Sequence, residues 1–140
     1  MEDERYARFK LKEYKHWSVF LFENQCFLGR SYIWAKRSDD VDIVEMSAEE
    51  RDEFFLICGK LKVALNQLFQ PTRLNYAALS NEAHHLHVHV IPRYDGDKEL
   101  GGVTITDTNK GGAPWPYDKS FTIPEELLLK IRDDIAKLLA

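Results

Sequence analysis

Apolar residues recur along this chain with two periods, and the switches between them divide it into elements. The stretch "WSVFLFENQCFLGRSYIWAK", residues 17–36, carries aromatic and β-branched side chains on both sides of Asn24, with Gly29 interrupting its second half. That pattern predicts two strands joined by a turn around Asn24, with Gly29 as a break or bulge. From Ser47 the period lengthens. Ser47 and Glu50 have the spacing of a capping box, and Phe54, Ile57, Leu61, Ala64, Leu65 and Leu68 follow at helical intervals. A helix over about 48–69 is expected, closed by Pro71. Gly59 inside it weakens it by about 1 kcal/mol relative to alanine, too little to break it.

Two more strands are predicted at "RLNYAALS" and "HLHVHVIPR", separated by the polar "NEAH" and close enough to be antiparallel neighbours. Residues 93–123 hold five of the seven glycines and two of the five prolines and alternate like a strand only at "VTIT", so a long, weakly structured segment is expected there. The last stretch, "TIPEELLLKIRDDIAKLLA", places Thr122 and Glu125 as a second capping box and Pro124 in the first turn. Leu128, Ile131, Ile135 and Leu138 then share one face of an amphipathic helix over 124–139. No internal repeat or low-complexity tract interrupts this order.

At 140 residues the chain suits one domain, and 44% hydrophobic residues with eight Phe, six Tyr and three Trp supply a core for it. We expect a single domain over 1–140: a core of about 17–93, a long loop over 94–123 and the C-terminal helix over 124–139. The formal net charge of -4 repels nucleic acid and anionic membrane, so neither is an expected partner. An anionic ligand must then be held by local positive groups. The opening "MEDERYARFK" lacks the apolar run of a secretory signal, and no stretch reaches membrane-spanning length, which points to a cytoplasmic protein. Cys26 and Cys58 form no CxxC pair and are expected to be unpaired, buried thiols.

Candidate chemistry concentrates in "HHLHVHVIPR", residues 84–93. On a strand, His85, His87 and His89 point to one face while Leu86, Val88 and Val90 point to the core. A row of imidazoles suits two chemistries. One is metal binding, but the outer two Cβ atoms of such a row are roughly 13 Å apart, so further ligands would have to come from elsewhere, with His16, Asp95 and Asp97 available. The other is nucleophilic attack on phosphorus. There the central His87 would attack through Nε2 while Nδ1 donates its hydrogen, for instance to a backbone carbonyl. His85 and His89 would stabilise the phosphate oxygens.

The run His85-Leu86-His87-Val88-His89-Val90-Ile91 resembles the signature of the histidine triad superfamily of nucleotide hydrolases and transferases. The following Pro92-Arg93 resembles the branch of the diadenosine polyphosphate hydrolases. The hairpin with Asn24 and Gly29, the central helix, the strand "LNYAALSN" and the triad strand follow the family's order over roughly 17–93. The resemblance implies an α+β fold with a mostly antiparallel sheet of about five strands, a central helix and a C-terminal helix, paired into a homodimer. It implies attack by His87 on a nucleoside α-phosphate through a covalent nucleotidyl-histidine, with His85 and His89 as the outer triad members. The substrate class implied is dinucleoside polyphosphates or related adenosine nucleotides. No cofactor is expected for the chemistry and no resident metal, although a divalent metal could accompany a polyphosphate substrate.

The same resemblance assigns Asn24, Asn75 and Asn81 to the nucleotide and phosphates. Arg93 is read either as a phosphate clamp or as a solvated strand end. The chain departs from the family in two places. Arg30 follows Gly29 where many members carry a fourth histidine, and a guanidinium binds phosphate but does not shuttle a proton at neutral pH. Asn81-Glu82 stands where a Gln followed by Ser or Thr is common, which removes a hydroxyl and adds a carboxylate. These departures leave a second reading, a metal-binding or nucleotide-sensing protein whose triad binds without turnover. Trp115 and Tyr117 are expected to pin the long loop to the body, the alternative being to stack on a base. His84 is expected to be partly exposed, and His16 to be structural.

Overall fold

The computed structural model describes residues 4–140, so Met1–Asp3 of the charged opening lie outside the described residues. A short helix α1 (Glu4–Ala7) leads into strands β1 (Lys10–Glu13), β2 (Trp17–Leu21) and β3 (Ser31–Ala35). A 3₁₀ turn (Ile43–Glu45) precedes helix α2 (Ala48–Phe69), followed by β4 (Arg73–Ala77) and β5 (His87–Arg93). Strands β6 (Lys98–Leu100) and β7 (Val103–Ile105) and helix α3 (Glu125–Leu139) complete the chain. The architecture is α+β: five antiparallel strands in the order β1-β2-β3-β5-β4, a central helix and a C-terminal helix.

The sheet's two faces have different jobs. Trp17, Val19, Leu21, Ile33, Ala35, Val88 and Val90 turn toward α2 and α3 and are nearly fully buried there. Phe20, Tyr32, Trp34, His87 and His89 alternate with them and occupy the opposite face, where Phe20 and Tyr32 stack at 5.2 Å. Helix α2 begins where its capping box predicts: the Ser47 hydroxyl accepts from Glu50 N, and the Glu50 carboxylate accepts from Ser47 N. It ends on Gln70, which takes the left-handed conformation with φ 48° just before Pro71.

Two expectations change. The fifth strand of the sheet is Lys10–Glu13, while Val103–Ile105 pairs with Lys98–Leu100 in a separate two-stranded ribbon inside the long segment. The Thr122–Glu125 box does not form. The N-cap is Pro124, whose carbonyl accepts from Leu127 N and Leu128 N with no side-chain cap, so Thr122 lies two residues too early to reach the helix's free N–H groups. Cys26 is buried, Cys58 is half-buried, and both are free thiols. Among the described residues no helix is long and apolar enough to cross a membrane.

Candidate active site

The triad strand β5 is central in the sheet, and its register against β3 sets what surrounds each imidazole. Trp34 pairs with His87 and Tyr32 with His89, while Ala77 of β4 faces His89 from the other side. These side chains form the floor of a cleft of about 790 Å³. Its walls include Phe20, Phe22, Arg30, Asn81, Trp115 and Tyr117. An apolar, aromatic cleft with a few polar groups converging in it is the ordinary form of a small-molecule site.

His87 is held in one tautomer. Its Nδ1 lies 2.7 Å from the carbonyl oxygen of His85, and a carbonyl only accepts, so Nδ1 carries the hydrogen and Nε2 keeps its lone pair. Ser80 Oγ donates to the same carbonyl at 2.8 Å, which fixes the acceptor in turn. Burial lowers the His87 pKa below 6.5, with the neighbouring His85 ring acting the same way, against the bond to the His85 carbonyl, which raises it. The ring is neutral at neutral pH.

His89 is more strongly biased. Burial, the Arg30 charge and His87 together push its pKa down to about 3. Arg30 Nη2 donates to His89 Nδ1 at 3.3 Å, so the single hydrogen of this imidazole sits on Nε2. Phe22 meets the ring edge-on at 5.5 Å.

His85 stands just before β5, with its ring outside the cleft lining. It stacks on Trp34 at 3.9 Å, and its Nε2 donates to the Arg37 carbonyl at 2.8 Å. Arg37 is itself tied to Asp39 and to Glu50, the capping residue of α2. The helix start, the Arg37 backbone and the His85 ring therefore form one rigid support behind His87. His85 meets His87 through its carbonyl, while its ring meets Trp34 and the Arg37 carbonyl.

Arg30 is reached by a tight path. Gly29 has φ +88°, and a Cβ there would come within 2.8 Å of Leu65 Cδ2, so only glycine lets the chain pass so close to α2. Gln25, 1% exposed, receives Gly29 N on its Oε1 and donates to the carbonyls of Phe22 and Arg30. The guanidinium that follows is 5% exposed and is flanked by the Phe22 ring at 4.1 Å and the Tyr117 ring at 4.9 Å. Its Nε and Nη1 have no hydrogen-bond partner among the described residues. Such a group typically costs about 1–3 kcal/mol for each donor left unsatisfied.

The remaining sequence candidates divide. Asn81 lines the cleft, as does Glu82, which is exposed. Asn24, Asn75 and Arg93 lie outside the lining, with their polar groups engaged elsewhere. Asn24 donates to the Asp118 carbonyl and accepts from Cys26 N, tying the hairpin turn to the long loop. Arg93 grips Asp107 through Nε at 2.8 Å and Nη2 at 3.2 Å, and donates to Asn75 Oδ1 and to the carbonyls of Asn109 and Gly112. Trp115 and Tyr117 both line the cleft, and Asn109 Nδ2 holds their loop by the carbonyls of Ala113 and Pro116. Among the described residues no group of three or more His, Cys, Asp or Glu is arranged to hold a metal ion.

Gln25, Ser80 and Asp107 escaped the sequence reading. Gln25 sits beside Asn24, the residue that turn preference favours, and no local pattern distinguishes it. Asp107 follows "VTIT" in the glycine-rich segment, and its partner is 14 residues away.

Comparison with known proteins agrees with this geometry. The HIT domain family model matches residues 33–96, which include all three triad histidines. No curated protein sequence matches the chain. Among solved structures, a histidine triad (HIT) protein from Sinorhizobium meliloti 1021 superposes with a TM-score of 0.78 at 22% identity, covering 98% of this chain and 95% of that one. A histidine triad protein from Bradyrhizobium japonicum gives 0.79 at 16% identity, with 100% and 98% covered. One from Marinobacter aquaeolei VT8 gives 0.77 at 23% identity, with 99% and 95% covered. The chain has the histidine triad fold, and its residues 33–96, which carry the three histidines, match the HIT domain.

Proposed function

We propose that the protein is a nucleotide hydrolase or nucleotidyl transferase that attacks a nucleoside α-phosphate through His87, with dinucleoside polyphosphates or related adenosine nucleotides as the substrate class. The observation that carries this reading is the bond from His87 Nδ1 to the His85 carbonyl, which reserves the Nε2 lone pair on a ring facing the cleft. The Nε2 lone pair forms a bond to phosphorus as the bond to the leaving group breaks. Water then adds to the phosphorus, and the N–P electron pair returns to Nε2, releasing the nucleoside monophosphate. His89 and Arg30 lie beside the attacked group, and Asn81 offers an amide to the substrate. The aromatic walls give a base flat surfaces to stack on. His85 acts as a positioning residue through its carbonyl.

The test is His87→Ala assayed on a dinucleoside polyphosphate, with and without a divalent cation. Turnover is expected to fall at least about 10³-fold while nucleotide binding changes little. Retention of more than a few per cent of activity would end the role given to His87.

We further infer a homodimer. Phe55, Leu56 and Val63 are 67%, 55% and 65% exposed on the outward face of α2, and Gly59 lies among them with nothing within 4 Å of a Cβ. Tyr76, 48% exposed, stands on the edge strand β4 on the same side of the sheet, its pKa raised by burial and by Cys58 of α2. An apolar patch continuous with an open strand edge suits a second copy of the chain. Phe55→Asp is expected to shift the sedimentation coefficient to that of a monomer, and an unchanged dimer would place the interface elsewhere.

A further inference from the structure

A buried guanidinium beside the triad decides more than affinity. Arg30 is 5% exposed, lines the cleft with His87 and His89, and has two donor atoms without a partner among the described residues. Lys119 approaches the same Tyr117 ring that Arg30 lies on, with Nζ at 5.9 Å and the guanidinium carbon at 4.9 Å. This side of the cleft is therefore built for negative charge.

Its imidazoles are poorly placed to give a proton. The two imidazoles in the lining are His87 and His89. The Nδ1 hydrogen of His87 is engaged by the His85 carbonyl, and its Nε2 is the attacking atom. His89 accepts the Arg30 N–H on Nδ1, so a second proton there would displace the guanidinium and set two cations 3.3 Å apart. His85, the remaining triad ring, lies outside the lining. Glu23 and Glu82 line the cleft but are exposed.

We propose, resting on the nucleotide-hydrolase reading above, that this site selects substrates by leaving group: it cleaves phosphoanhydrides, whose departing phosphate Arg30 receives as an anion, and discriminates against phosphoramidates, whose departing amine must be protonated. In the anhydride reaction the His87 Nε2–P bond forms and the P–O bond to the bridging oxygen breaks. The electron pair stays on that oxygen, which becomes a terminal phosphate oxygen and needs no proton. Water then adds to phosphorus, the N–P pair returns to Nε2, and the proton of the water passes to solvent. In the phosphoramidate reaction the pair would stay on nitrogen, and an amide anion is not expelled without a proton in the transition state. A positioned general acid contributes about 10²–10⁴-fold, and neither imidazole of the lining is placed to supply it on the amine side.

The experiment compares kcat/KM for diadenosine triphosphate and adenosine 5′-phosphoramidate in the wild-type protein, Arg30→Gln and Arg30→His, with a thermal melt on each. The wild type is expected to favour the anhydride by at least about 10²-fold. Arg30→Gln should lower anhydride cleavage about 10-fold or more beyond any loss on the phosphoramidate, since the α-phosphate is common to both substrates and only the anhydride has an anionic leaving group that uses the charge. Arg30→His, which restores a titratable ring, should narrow the wild-type ratio about 10-fold or more by raising phosphoramidate cleavage. Equal wild-type rates on the two substrates, or an equal loss on both in Arg30→Gln, would overturn the proposal while leaving nucleotide hydrolysis intact. Folded wild-type protein that releases nucleotide from neither substrate would overturn the hydrolase reading, and this inference with it. The wild-type ratio needs no variant, so the test stands even if a substitution unfolds the chain.

Discussion

Arg30 and Arg93 are almost equally buried, at 5% and 8% exposure, yet their surroundings are opposite. Arg93 meets a carboxylate, an amide and two backbone carbonyls, and its plane lies over Phe27 at 5.2 Å. Arg30 meets one imidazole nitrogen and two aromatic rings. A saturated buried cation belongs to the framework: Arg93 ties β5 to β4 and to the 107–112 segment, and Asp107 is held ionised by it. Burial alone would raise the Asp107 carboxyl, but the bonds from Arg93 and from the Tyr94 and Asn109 amides outweigh it and hold it below the ordinary carboxylate value. An unsaturated buried cation is a standing expense to the fold that binding an anion would offset. Among the described residues, the difference between these arginines separates the part of the molecule that holds the cleft from the part that uses it.

That contrast can be broken on either side. The largest effect is expected from Asp107→Ala, which leaves Arg93 buried without its counter-charge and should reduce unfolding free energy by about 3 kcal/mol or more in a urea titration. A loss under about 1 kcal/mol would mean that the carbonyls and Asn75 suffice.

A smaller effect is expected from His89. Its folded pKa of about 3 lies below the unfolded value of 6.5, so between these pH values the unfolded chain binds a proton that the folded chain does not. Stability is therefore lost as pH falls through this window. His89→Gln should reduce the loss between pH 7 and pH 4 by on the order of 2 kcal/mol, read from urea midpoints at both pH values. Identical pH profiles would show that His89 is not held neutral by Arg30 and burial. The smallest effect is Arg30→Gln itself, which should leave unfolding free energy within about 1 kcal/mol of the wild type or raise it, because it removes a cation with few partners. A loss comparable to that of Asp107→Ala would make Arg30 a framework residue after all.

Local signals account for what the sequence revealed. Helix α2 was legible to its ends because the Ser47–Glu50 box lies within four residues and the chain leaves the helix just before Pro71. The triad was legible because strand alternation alone sends Leu86, Val88 and Val90 inward and leaves His87 and His89 on the other face. Strand β1 escaped because "KLKE" is short, charged and at a sheet edge, so its pairing with β2 supplies what its own pattern lacks. Asn75 reads as a phosphate contact, and Arg93 as either a phosphate clamp or a solvated strand end, because nothing near them in sequence discloses Asp107, which reaches Arg93 from the glycine-rich segment. The two arginines are alike in sequence, and the contrast that separates them exists only after tertiary assembly.

In the proposed reaction His87 makes a transient bond to a nucleoside phosphate. Quenching in alkaline denaturant during turnover of diadenosine triphosphate preserves a phosphorus–nitrogen bond, and mass analysis of the peptide carrying residues 84–93, digested without acid, then looks for it. A nucleoside monophosphate adduct on His87, absent from His87→Ala, is the expected result. Turnover with no adduct at any quench time, or an adduct on another residue, would contradict it.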